Sequence, residues 1–116
     1  IRSAGVTDMR YGNVVAEDWQ GHDRFERGPD QRVRVPLPGD VACYAVAGTR
    51  SKSGVDVERL AFDGQVPVSS ALGINADASR ALRFSDAFVA HGVGHLHLLS
   101  RPEVYARLLS WCRSVP

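Results

Sequence analysis

Apolar residues gather in the second half of the chain into three runs of different period. The first, Val41-Ala42-Cys43-Tyr44-Ala45-Val46-Ala47, follows Pro36-Leu37-Pro38-Gly39-Asp40 and closes at Gly48-Thr49. Continuous apolarity, as opposed to alternation, predicts a strand covered on both faces, as in a parallel sheet. The second comprises Ala81-Leu82-Arg83-Phe84 and Ala87-Phe88-Val89-Ala90, which offer a final strand without fixed limits. In the third, Val104, Leu108, Leu109, Trp111 and Cys112 recur at near-helical spacing behind Ser100-Arg101-Pro102-Glu103. Ser100 or Arg101 at the cap, Pro102 in the first turn and an acid at the positive helix end predict a C-terminal amphipathic helix. Between the first two runs, a short helix is expected after Pro67, with Gly73 in a left-handed position at its end.

The first third is more polar. Residues 1 to 12 read as a helical or loop segment ending at Tyr11-Gly12, and Gly28-Pro29-Asp30 signals a turn. Residues 1–40 are expected to form a surface excursion, with the large aromatics Trp19 and Phe25 as its tethers to a core. Arg50 to Arg59 has no clear period and reads as an exposed loop leading to Asp63.

With 116 residues, 44% of them apolar, the chain can hold one ordinary core, and the strand covered on both faces, as in a parallel sheet, points to the α/β class. Fourteen Lys and Arg against thirteen Asp and Glu leave a formal charge of +1 with no basic stripe, which argues against a nucleic-acid footprint. No apolar run approaches the roughly 20 residues that a membrane-spanning helix needs. The sequence opens on Ile1 and shows no basic-then-apolar leader, so we expect the natural N-terminus to lie upstream, and the compartment stays open. Cys43 and Cys112 are too few for a disulfide scaffold and are read as two buried thiols.

Two segments carry the chemistry. Asp63 precedes Gly64 in a loop after an apolar strand, and His95 follows Gly92 and Gly94 in a loop after the second strand. An acid and then a histidine, each at the carboxyl end of a strand, are the last two members of the order nucleophile, acid, histidine found in α/β-sheet triad enzymes. A neutral imidazole can take the proton of a serine hydroxyl, and a carboxylate on its other nitrogen fixes the tautomer. Taken singly, Asp63 is equally a solvated turn residue and His95 an ordinary core or surface histidine. Ser69 and Ser70 lack elbow glycines and are read as helix-start hydrogen bonders. His91, His95 and His97 have imidazoles that could ligate a metal, but no Cys or carboxylate cluster accompanies them. Glu17, Asp18 and Asp23 read as a solvated acidic loop, and His22 as a solvated side chain.

The runs Asp63-Gly64-Gln65-Val66-Pro67-Val68-Ser69-Ser70-Ala71-Leu72-Gly73 and Gly94-His95-Leu96-His97-Leu98-Leu99, with Pro102-Glu103-Val104-Tyr105, resemble the acid and histidine loops of bacterial α/β-hydrolase esterases and lipases of the GPI inositol-deacylase-like group. The similarity extends to Ser3 through Asn13 and Val41 through Thr49. It departs at Phe62, where a glycine is common, at His97, where an aspartate is often found, and in lacking the nucleophile half. The resemblance implies that residues 1–116 are a C-terminal fragment of one α/β-hydrolase domain. Residues 41–116 would hold its last strands, acid loop, histidine loop and closing helix. It further implies a carboxylic-ester hydrolase with Asp63 as orienting acid and His95 as general base. The serine would come from the N-terminal half of the same domain, the substrate would be an ester or lipid, and no metal or organic cofactor would be required. On this expectation the chain alone is inactive. The rival expectation is a small non-catalytic α/β domain that binds a partner.

Overall fold

The computed structural model describes residues 3–21, 23, 26, 29, 31–52 and 62–114. They fall into two units, residues 1–35 and residues 36–116. His22, Phe25 and most of the 50–59 loop lie outside the described residues.

In the first unit, α1 (Ala4–Tyr11) starts at Ser3, whose Oγ accepts from Val6 N–H at 3.3 Å. It stops at Gly12, where φ of +69° needs a residue without Cβ. A 3-10 turn, Ala16–Asp18, follows. Asp18 is not merely solvated: its carboxylate accepts the N–H groups of Val14 at 2.8 Å, Val15 at 3.1 Å and Val33 at 2.6 Å. Those bonds organise a stretch with almost no regular structure, and that of Val14 leads those holding the carboxyl below its ordinary range. Trp19 is exposed, not buried as its expected role implied.

The second unit is built on two parallel strands, β1 (Tyr44–Thr49) and β2 (Asp86–His91), paired from Tyr44↔Asp86 to Thr49↔His91. The chain is thus of α/β class with a small parallel sheet. β1 lies further along than the apolar run, because pairing begins only where Asp86 supplies a partner, leaving Val41 and Ala42 exposed. Residues 81–84 form no strand; Leu82 N–H donates to Gly73 C=O at 2.9 Å instead.

Both faces of this ladder are covered, as continuous apolarity predicted. On one, Ala47 and Val89 meet Val68, Ala71 and Leu72 of α2 (Val68–Ala71) and its exit. On the other, Val46, Phe88 and Ala90 pack with Val93, Leu98 and Val104. Val104 belongs to α3 (Pro102–Ser114), and Leu98 to a 3-10 helix, His95–Ser100. Gly73 takes φ of +64°, and the Ile74 N–H to Ser69 C=O and Gly73 N–H to Ser70 C=O bonds close a Schellman-type end. The start of α3 falls at Arg101, whose carbonyl accepts from Tyr105 N–H at 3.1 Å; Ser100 Oγ donates to His97 C=O and does not cap. The buried stripe of α3 is Val104 and Trp111, while Leu108 and Cys112 are exposed. Cys43 is half-buried and Cys112 exposed, and both are free thiols, so the pair is not the two buried thiols expected.

Candidate active site

The carboxyl ends of β1 and β2 are stitched together beyond the ladder. Val93 N–H donates to Thr49 C=O at 2.8 Å and Gly92 N–H to Ser51 C=O at 3.0 Å, with Gly92 at φ of +65° making the bend. The chain leaves this bend through Gly94, and His95 opens the 3-10 helix; it does not sit in an open loop.

The acid loop returns to the same end. Phe62 and Pro67 form an antiparallel bridge that closes the hairpin-like segment 62–67, with Asp63 N–H donating to Val66 C=O at 3.3 Å. Gly64, at φ of +108°, makes the reversal. Inside the loop, Asp63 Oδ1 accepts from Gln65 N–H at 2.9 Å and Val66 N–H at 2.8 Å, an Asx-turn that locks the carboxylate plane. Asp63 is only 3% exposed. Gly48 lies beneath it: a Cβ there would stand 3.2 Å from Asp63 Cβ and from a Leu98 methyl, so the acid sits where a strand residue lacks a side chain.

Asp63 Oδ2 lies 2.6 Å from His95 Nδ1. The two residues singled out in sequence are therefore brought into direct contact. A second bond, His95 N–H to Asp63 C=O at 3.0 Å, joins the same two residues through their main chains. Burial pushes the Asp63 carboxyl up, but the Val66 and Gln65 N–H groups and the His95 ring outweigh it and hold the carboxyl below its ordinary value. An ionised carboxylate only accepts, so Nδ1 carries the hydrogen, and in the neutral ring the lone pair is then on Nε2. The His95 side chain is 39% exposed, and Nε2 has no hydrogen-bond partner among the described residues. The arrangement is an imidazole tethered at one nitrogen by a buried anion and available as a base at the other.

Ser69 and Ser70 are exposed on α2, and neither hydroxyl is bonded to a described residue. Pro67 occupies the cap position, so these serines stand inside the helix and serve it through their carbonyls, and not as the side-chain hydrogen bonders expected at the helix start. His97 is exposed, and His91 Nδ1 is buried with no hydrogen-bond partner among the described residues. Among the described residues no three His, Cys, Asp or Glu side chains gather as a metal would require.

Two residues of this site escaped the sequence reading. Gly48 carried a signal, since a glycine inside an apolar strand marks a close approach. Arg50 carried none: its Nε–H donates to Asp63 C=O at 3.2 Å, and nothing in a sequence marks a backbone acceptor.

No protein-family model, curated protein or solved structure matches the chain.

Proposed function

We propose that this chain is the acid-and-histidine portion of a serine carboxylic-ester hydrolase, the C-terminal part of an α/β-hydrolase domain whose nucleophile lies in polypeptide outside it. The observation that carries the reading is the 2.6 Å bond from His95 Nδ1 to the 3% exposed Asp63 carboxylate, with Nε2 left unbonded among the described residues. The position of the pair past the carboxyl ends of adjacent parallel strands supports it, because ligands of α/β sheets bind at that end.

In this reading His95 Nε2 takes the proton of a serine hydroxyl as its oxygen attacks the ester carbonyl. The proton then passes to the departing alcohol, leaving an acyl-enzyme. Water, deprotonated by the same nitrogen, cleaves the acyl-enzyme and returns the serine. Asp63 holds the Nδ1–H tautomer throughout and stabilises the transient imidazolium without itself taking the proton. The substrate is an ester or lipid.

The test is hydrolysis of p-nitrophenyl butyrate by the full-length protein. We expect His95→Ala to lower kcat by about 10⁴-fold or more, the scale on which triad members act. Turnover unchanged in His95→Ala would remove His95 from the reaction and end the reading.

A further inference from the structure

Arg50, the residue after β1, grips the acid loop at consecutive carbonyls. Its main-chain N–H donates to Phe62 C=O at 3.1 Å, and its Nε–H donates to Asp63 C=O at 3.2 Å. The Asp63 carbonyl is also the acceptor of His95 N–H at 3.0 Å. A carbonyl oxygen has two lone pairs, and here both are used. One atom therefore joins the end of β1, the acid loop and the first residue of the histidine helix.

Gly64 makes room for the guanidinium: a Cβ there would lie 2.8 Å from Arg50 Cζ, whereas a Cβ on Gly94 would make only ordinary contacts, 3.8 Å from Arg50 Nε and 3.5 Å from the Asp63 carbonyl oxygen. Gly64 thus has two reasons to lack a side chain, its backbone angle and the arginine lying across it.

We propose that Arg50 is a positioning residue for the Asp63–His95 pair, its Nε–H fixing the Asp63 carbonyl and through it the main chains of both partners, so that Oδ2 and Nδ1 stay in register. This rests on reading the pair as acid and base. The side-chain bond between Asp63 and His95 is short, and small displacements of reacting groups are expensive, on the order of 10²-fold in rate for about 1 Å. Arg50 makes no hydrogen bond to the imidazole or to the carboxylate oxygens; its side-chain bond is to the carbonyl.

Two substitutions separate hydrogen bonding from charge and bulk. In Arg50→Gln the amide nitrogen stands at the same number of bonds from Cα as arginine Nε, keeping a neutral donor there, whereas Arg50→Met has similar length and no donor. Arg50 is exposed, so neither opens a core cavity, and far-UV circular dichroism checks folding. The first readout is the far-downfield proton resonance of His95 Nδ1–H in the full-length protein, assigned by its loss in Asp63→Asn. We expect Arg50→Met to move it upfield and to speed its exchange with water about ten-fold, and Arg50→Gln to leave it near the wild-type position. The second readout is p-nitrophenyl butyrate turnover, where Arg50→Met should lower kcat about ten-fold with KM unchanged and Arg50→Gln should restore most of it, the scale of one hydrogen bond.

An unmoved resonance in Arg50→Met, or equal behaviour of the Met and Gln variants, overturns the proposal even where esterase activity is present. Should Arg50→Met fail to fold, Arg50→Ala removes the same donor at this exposed position. It must shift the resonance in the same direction, and an unshifted resonance overturns the proposal. A resonance that follows the expected pattern in a protein with no esterase activity supports Arg50 as the clamp and removes the hydrolase reading alone.

Discussion

Asp63 is pulled in opposite directions by its surroundings, and the balance is visible in pH dependence. Burial raises the carboxyl, while the N–H groups of Val66 and Gln65 and the His95 ring lower it further, so its folded value lies below the ordinary 3.8. A carboxyl with a folded pKa below its unfolded pKa stabilises the fold at pH above about 3.8, and that contribution is lost as pH falls from there through the folded value. Asp18 and Asp86 are depressed too, so the whole protein loses stability in acid; the difference between wild type and Asp63→Asn isolates this one group. Urea midpoints should separate the two proteins clearly at about pH 6 and bring them closer at about pH 3. A constant gap would mean that the carboxylate is not held by these bonds. Gly48 gives a second prediction at this scale. With Asp63 Cβ and the Leu98 methyls 3.2 to 3.3 Å from where its Cβ would be, Gly48→Val should cost about 1–3 kcal/mol in thermal or urea unfolding, as overpacking does.

Among the elements, α3 is anchored at Trp111. Its ring stacks on Tyr44 with centroids 4.8 Å apart, and its Nε1–H donates to Asp86 Oδ2 at 2.8 Å, so one side chain links the starts of both strands to the closing helix. Trp111→Phe keeps an aromatic ring and loses the bond, and should cost about 1 kcal/mol; Trp111→Ala should cost about 3–5 kcal/mol. Equal losses in the two variants would mean that stacking contributes nothing. This helix was legible in sequence because Pro102 and Glu103 are local signals of a helix start. The end of α2 was legible for the same reason, since Gly73 carries the left-handed turn by itself. Strand limits were not, because residue 44 begins β1 only through its partner 86, a relation no local pattern contains. The candidate site divides in the same way. Asp63 and His95 stood out by residue type and flanking glycines, whereas Arg50 acts on a main-chain oxygen that every residue possesses.

At the scale of the whole molecule, the parallel pair in residues 36–116 has no third strand among the described residues, so each strand keeps one edge that no described strand pairs. Beside His95, Leu96 and Leu99 share one ridge of the 3-10 helix and are 73% and 92% exposed. Unpaired edges and exposed leucines favour association, and residues 1–116 expressed alone should self-associate with rising concentration in sedimentation velocity. A concentration-independent monomer would show that these edges are protected within the chain. No helix among the described residues is long and apolar enough to cross a membrane. The measurement closest to the central claim is reaction of the full-length protein with a fluorophosphonate, followed by peptide mapping of the modified residue. The account predicts one modified serine outside these 116 residues, labelled at least about 10³-fold more slowly in Asp63→Asn and His95→Ala. Labelling at the same rate in all three proteins, or none in any of them, would contradict it.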